Sequence, residues 1–433
     1  MSTELISALV MVLLFAMIFL GTHVGLAMAL AGLIGTMAII PVGPTFRLFG
    51  QTVMETSLSF ELSVIPLFVL MGAFTSSSGL SRDLYEAFNA WLGARRGGLA
   101  MATIAACGAF GAISGSSVAT AATMSEVAMP EMRRYGYANS LAAGAIAAGG
   151  TIGILIPPSV IMVLYGIMTQ TSIVDLFIAG IVPGILLVVL FLLTVAIIAR
   201  LNPASCPAGT PVPMADRLRA LRKVGGVLAL FLIVLGGLYG GVFTPTEGAG
   251  IGAAGALLIT LVMRRMSWAA FVRALADSVR TTVMIFTILI GALVFKNFMV
   301  LAQLPDQIEG LLAAMTLSPF GTLLAIIVIY LVLGALMDTM AMILLTVPIF
   351  FPLMTALGYD AVWFGVLIVV LVELALITPP MGMNVFVING LTPDVPLSQI
   401  FRGVMPFCLA LAVLIALLVA FPQIALFPLP HGG

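Results

Sequence analysis

Long apolar runs separated by short polar breaks dominate the chain. Runs near 4–22, 24–41, 57–78, 138–168 and 176–199 form a first set, and runs near 226–243, 247–263, 281–301, 361–390 and 403–421 a second. Each predicts a helix able to cross a hydrocarbon core about 30 Å thick. Two of the longest runs are interrupted alike. Ile156-Pro157-Pro158-Ser159 and Thr378-Pro379-Pro380-Met381 each place a double proline in apolar sequence, at an offset of 222 residues. Proline lacks the backbone N–H and clashes with the preceding turn, so two in a row break a helix. A broken backbone at membrane depth persists only where protein or a water-filled cavity covers it.

The same offset of 222 superposes Pro130 on Pro352, Gly136-Tyr137 on Gly358-Tyr359 and Ser116-Ser117 on Asp338-Thr339. At 223, Gly25 and Gly32 fall on Gly248 and Gly255, and Gly180 and Pro183 on Gly403 and Pro406. A duplicated unit with one small gap explains both offsets. The predicted organisation is a first repeat over 1–201, a linker over 202–224 and a second repeat over 225–433.

Charge sets the orientation, because Lys and Arg near span ends prefer the cytoplasm. Arg95-Arg96 and Arg133-Arg134 bracket a segment with Ser114-Gly115-Ser116-Ser117 at its middle. Residues 97–132 therefore read as a hairpin that enters from the cytoplasm and turns back within the membrane. Its counterpart, about 310–356, is bounded by Asp306, Glu309 and Asp360 instead, which suits the opposite face. Arg217, Arg219, Arg222 and Lys223 make the linker cytoplasmic, and five crossings per half then put both termini in the periplasm. The expected fold is an all-α polytopic membrane protein, an inverted repeat with two re-entrant hairpins and two discontinuous helices. Arg82 to Ala94, and similarly Ser267 to Arg280, read as helices lying in the interface.

Composition narrows the function further. The chain is 62% hydrophobic and 8% charged, which leaves too little polar surface to cover a soluble core. A net charge of zero supplies no footprint for nucleic acid. Cys107, Cys206 and Cys408 are widely spaced and read as small core residues, and His23 and His431 are too few for a histidine metal centre. The first residues lack a basic segment, so the first apolar run reads as a retained span. No nucleophile–base pair, phosphate-cradling loop or metal-ligand cluster points to an enzyme or an ATPase.

The breaks themselves suggest chemistry. A helix starting after Pro158 presents free N–H groups that favour an anion, and one ending before Pro157 leaves carbonyl oxygens suited to Na⁺. Two such breaks at matching places in two halves are a sequence pointer to a transporter's binding site. This places Ser116, Ser117, Pro158, Ser159, Thr378, Gly382 and Asn384 around an anionic substrate. Ser114, Gly115, Ser116, Gly150, Gly153, Asp338, Thr339, Thr378 and Pro379 are placed around two pseudo-symmetric Na⁺ sites. Na⁺ would be a coupling ion, and no cofactor is expected. Blander readings stand beside these. Double prolines also kink helices, and Ser and Gly serve close helix packing. Asp338 is costly in apolar sequence and is read as functional. Glu373, aligned with Thr151, is read either as facing the cavity or as bonding a neighbour. Thr244-Pro245-Thr246-Glu247 is a capping box and structural.

Gly108 to Met132, Gly150 to Thr169, Phe243 to Gly250, Leu333 to Pro352 and Thr378-Pro-Pro-Met-Gly-Met-Asn384 resemble the large membrane subunit of a TRAP transporter, the DctM-like family. The resemblance covers essentially the whole chain. It implies an elevator-type, Na⁺-coupled importer of carboxylates in the bacterial inner membrane, in which the hairpins and broken helices move against a scaffold. It also implies a separate small DctQ-like membrane subunit and a periplasmic substrate-binding protein as partners, beside the lipid bilayer. The rivals are a self-sufficient carboxylate or anion symporter without a binding protein, and a scaffold or channel whose prolines merely kink its helices. Coupling to protons through Asp338 or Glu373 is a further alternative.

Overall fold

The computed structural model describes residues 2–304, 306, 307, 310, 318–334, 337–380 and 382–429. Glu309, Met381, His431 and part of the opening arm of the second hairpin lie outside the described residues. The described chain is helical throughout, with one isolated bridge between Arg96 and Ala208. Five helices are long and apolar enough to span a membrane singly, and three sharply bent pairs bring the total to as many as eight.

The order of elements repeats across the halves. Helices Thr3–Phe19 and Val24–Met37 have counterparts in Met214–Tyr239 and Pro245–Val262. The pair Val42–Leu58 and Val64–Ser77 corresponds to the single 34-residue helix Trp268–Leu301. The hairpin Gly98–Ser114 with Ser117–Arg134 corresponds to Pro319–Gly334 with Thr339–Ala356. The broken helix Asn139–Leu155 with Val160–Thr169 corresponds to Ala361–Ala375 with Met383–Leu391, and Ile173–Leu201 to Leu397–Ala420. Packing exchanges the halves reciprocally. Ser117–Arg134 packs on Met383–Leu391 and Thr339–Ala356 on Val160–Thr169, while Val24–Met37 lies along Trp268–Leu301 and Pro245–Val262 along Val64–Ser77. Such an exchange is the packing expected of two repeats related by a pseudo-two-fold axis.

Close helix approach rests on missing side chains. A Cβ at Gly25 would meet the Ile288 Cα at 2.7 Å, and one at Gly32 the Phe295 Cα at 2.8 Å, so these glycines let two helices touch along their backbones. The hairpin and broken helix of the first repeat are joined the same way, since a Cβ at Gly153 would meet the Gly111 Cα at 2.5 Å.

Several local expectations hold. Thr244 and Glu247 form the capping box, with Thr244 Oγ1 accepting from the Glu247 N–H at 3.3 Å and the Glu247 carboxylate from the Thr244 N–H at 2.8 Å. The three cysteines are free and buried. Leu80–Leu92 is an amphipathic helix, held by Arg265 on Asp83 and by Lys223 on Glu86 at 2.9 Å. Others differ. Ser267 to Arg280 is not a separate surface helix; it is the start of Trp268–Leu301, because no Gly or Pro separates it from the apolar run that follows. Val42–Leu58 is a helix that apolar runs did not reveal, since Arg47, Gln51 and Glu55 interrupt its hydrophobicity. Residues 214–224, read as linker, already belong to Met214–Tyr239.

Candidate functional site

The first hairpin turns where its sequence permits. Gly98–Ser114 ends on Gly115 at φ +62°, a left-handed conformation that glycine adopts without steric cost. Ser116 then caps Ser117–Arg134, its Oγ accepting from the Ala119 N–H at 3.3 Å. Thr120 Oγ1 donates to the Ser116 carbonyl at 2.7 Å and lies 2.9 Å from Ser114 Oγ, tying the two arms together. In the second hairpin Asp338 caps Thr339–Ala356. Its Oδ1 accepts from the N–H groups of Met340 at 2.9 Å and Ala341 at 3.1 Å. A carboxylate at a helix start is favoured by the dipole as well as by these bonds.

The double prolines do interrupt their helices. Asn139–Leu155 and Val160–Thr169 meet at 41°, and Ser159 Oγ caps the second piece by accepting from the Met162 N–H at 3.3 Å. Ala361–Ala375 gives way to Met383–Leu391, where Gly382 supplies no side-chain cap. Pro157, Pro158 and Ser159 are buried, whereas Pro379 and Pro380 are exposed.

A cavity of about 710 Å³ lies between these parts. Ser114, Gly115, Ser116 and Ser117 of the first tip line it, with Asp338 and Thr339 of the second. Four helix starts reach it: Ser117–Arg134 through Ser117 and Val118, Val160–Thr169 through Val160 and Ile161, Thr339–Ala356 through Thr339 and Met340, and Met383–Leu391 through Met383. The described lining contains no Lys or Arg and two carboxylates, Asp277 and Asp338, so the groups there that favour an anion are first-turn N–H groups. Those of Ser117 and Val118 have no intrahelical partner by their position, while the N–H groups of Ala119, Met340 and Ala341 are taken by caps.

Pro379 is exposed, and the other expected residues lie behind the lining. Pro158 presents its carbonyl toward Gly115, 3.5 Å from where a Cβ would stand. Gly150 faces the Ser117 carbonyl and Asn384, and Gly153 packs on Gly111. Thr378 Oγ1 donates to the Leu374 carbonyl at 2.6 Å, and Gly382 packs against Ile377. Asn384 is fully buried and crosses between repeats, donating to Ser117 Oγ at 3.0 Å and to the Ala147 carbonyl at 3.1 Å. Sequence reasoning missed the opposite wall, formed by Ser76, Ser77, Asp277, Ser278 and Thr281. The run Ser76-Ser77-Ser78 at the end of an apolar stretch was the available signal. Asp277 hid among surface charges, 3.9 Å from Arg280.

Comparison with known proteins follows the same architecture. Residues 11–424 match the family model described as "Tripartite ATP-independent periplasmic transporter, DctM component". The C4-dicarboxylate TRAP transporter large permease protein DctM of Pseudomonas aeruginosa is 38% identical over 397 residues, covering 91% of this chain and 92% of that one. The isethionate TRAP transporter permease protein DctMQ of Oleidesulfovibrio alaskensis is 34% identical over 96% of this chain and 65% of its own, longer sequence. Among solved structures, the YdaH transporter of Alcanivorax borkumensis superposes with a TM-score of 0.59 at 17% identity, over 88% of this chain and 90% of that one. This last likeness concerns the fold alone.

Proposed function

The chain belongs to the DctM component family of the tripartite ATP-independent periplasmic transporters, and from that membership we propose that it imports an organic anion, a carboxylate, driven by the Na⁺ gradient. Both relatives named above carry organic anions in their names, a C4-dicarboxylate and isethionate. One observation carries the reading: four helix starts from both repeats open on one cavity whose described lining has no Lys or Arg. Aligned N–H dipoles favour negative charge without fixing its shape, which suits a carboxylate bound and released in each cycle.

The same cavity offers hard oxygen atoms to Na⁺. Ser114, Ser116 and Thr339 contribute hydroxyls, Asp338 a carboxylate, and the ends of Gly98–Ser114 and Asn139–Leu155 unpaired carbonyls. Gly115, Gly150, Gly153, Thr378 and Pro379 supply backbone or hydroxyl oxygens around the two pseudo-symmetric positions, while Ser117 faces the anion and Pro158, Ser159, Gly382 and Asn384 support that face from behind the lining. Bound cations offset the charge of Asp338 and of the substrate, so that the loaded hairpin domain moves as a near-neutral body, in the manner of an elevator. The repeats over 1–201 and 225–433 supply one hairpin and one broken helix each to that body, with 202–224 joining them at the cytoplasmic face. The protein acts in the bacterial inner membrane with both termini periplasmic, beside a small DctQ-like subunit, and receives cargo from a periplasmic binding protein.

Uptake into proteoliposomes containing the chain, the small subunit and the binding protein tests this. An imposed Na⁺ gradient at fixed pH is expected to drive accumulation, and indifference to Na⁺ refutes the coupling. Full uptake by the chain without a binding protein supports the self-sufficient symporter instead.

A further inference from the structure

Behind the first hairpin tip lies a buried polar cluster with more acceptors than donors. Glu373, on Ala361–Ala375, is 0% exposed, and neither carboxylate oxygen makes a hydrogen bond of normal geometry. Asn384 is also 0% exposed, and its Oδ1 has no partner. The amide cannot be turned over to relieve this, because its Nδ2 donates to the Ala147 carbonyl at 3.1 Å and a flipped Oδ1 would oppose that oxygen. Ser117 Oγ accepts from the same Nδ2 at 3.0 Å and keeps its own hydrogen to donate, and it lies beside the Glu373 carboxyl. Three buried acceptor atoms, the two of Glu373 and Oδ1 of Asn384, are left without a partner among the described residues.

No charged neighbour compensates. Among the described residues on helices packed around Ala361–Ala375, Tyr165 donates to the Ala361 carbonyl at the far end, 2.7 Å away, and Tyr330 pairs with Thr346 at 2.6 Å. Cys408 touches Thr378 at 3.9 Å, Arg200 and Arg402 are exposed, and Asp175 is half-buried at its helix start. Asp338 is half-buried and bound to its own backbone amides. Among the described residues no group of His, Cys, Asp or Glu gathers there to hold a metal ion, and neither Glu373 nor Asn384 lines the cavity. A proton added to Glu373 removes the buried charge and supplies a donor.

We propose that Glu373 is a proton-binding site of the transport cycle, loaded while Ser117 and Asn384 hold the first hairpin tip against the second broken helix. The proton comes from water in the cavity, which Ser117 lines, and binds one carboxylate oxygen. It leaves by the same route when the tip separates and water reaches the carboxylate. The inference rests on the transporter reading for its role in a cycle, but the site is testable without any substrate.

Infrared spectra of the full chain in lipid, in Na⁺-free buffer at neutral pH, provide the test. The carbonyl stretch of a protonated carboxyl is expected in the wild type and is expected to be lost in E373Q. Its frequency is expected to shift in S117A, which removes the neighbouring hydroxyl. Identical bands in wild type and E373Q overturn the proposal. So does loss of the wild-type band on adding Na⁺ at constant pH, because displacement marks a metal site. Should E373Q fail to fold, the S117A shift and the pH titration of the wild-type band decide. In uptake assays E373Q is expected to lose its response to a pH gradient while still following Na⁺, which separates failure here from failure of Na⁺ coupling.

Discussion

The two hairpin–break units are copies by element order and unlike by environment. In the first, hydroxyls close the tip, the break at Pro157-Pro158 is buried, and Gly111 and Gly153 bring the hairpin and the broken helix into backbone contact. In the second, a carboxylate closes the tip, Pro379 and Pro380 are exposed, and the corresponding contact is between Gly334 and Ala375. Both units therefore pack closely at a glycine, and they differ in what closes the tip, hydroxyls in the first and a carboxylate in the second. Duplication preserved the backbone path while each copy took a different means of stabilising the same interruption. The copies meet at Asn384, which leaves its own repeat to hold Ser117 in the other.

The largest effect is expected at the glycine contact. Gly153→Leu drives a side chain into the Gly111 backbone, where a Cβ already meets the Cα at 2.5 Å, and is expected to abolish the folded, monodisperse protein in detergent. Gly153→Ala should cost about 1–3 kcal/mol by the overpacking rule. The matching change in the other repeat, Ala375→Gly, should cost only about 0.5–1 kcal/mol through backbone entropy. Thermal unfolding of the two variants side by side measures the difference, and equal losses would mean that the two positions tolerate a change of one methyl group alike.

A smaller effect is expected at the caps. Asp338→Ala removes an acceptor for two N–H groups and should cost about 1–2 kcal/mol, at the upper end for a cap. Ser116→Ala removes one bond at 3.3 Å and should cost about 0.5–1 kcal/mol. Asp338→Asn keeps an oxygen at the cap while deleting the charge. Its stability should stay near wild type while Na⁺-driven uptake falls at least about tenfold, equivalent to about 1.4 kcal/mol. Unchanged uptake in Asp338→Asn would reduce the carboxylate to a structural cap.

How much of this was readable in advance follows from the range of each interaction. The double prolines, the tip residues and the capping box act within a few positions, so spacing alone located them. The repeat offset added the correspondence between halves. Three features lay beyond that reach. Asn384 meets Ser117 across 267 residues, and no local pattern links them. The unequal burial of the two breaks depends on what packs over each. The wall carrying Asp277 and Ser278 belongs to a helix whose polar start resembled a surface segment. Glu373 and Thr151 show the limit well, since they align at the offset of 222 yet differ in kind. Thr151 Oγ1 donates to the Ala148 carbonyl in its own helix at 2.7 Å, so Thr151→Val should cost about 1 kcal/mol and leave pH dependence untouched.

The weakest effect should come from an ion pair that joins the hairpin of the first repeat to the loop after the second broken helix. Arg133 meets Asp394 at 2.7 Å, with side chains 34% and 60% exposed. The positions related by the repeat are Thr355 and Ser172, which cannot form such a pair. If charge held the two units together, this bridge would matter as much as Asp338. Its exposure argues otherwise, because water screens both partners and two side chains must be ordered to form it. Asp394→Asn should therefore shift stability by less than about 0.5 kcal/mol, and the shift should vanish as salt is raised. A loss as large as that of Asp338→Ala would mean that the units are joined at their surface as well as through the buried contact of Asn384 with Ser117.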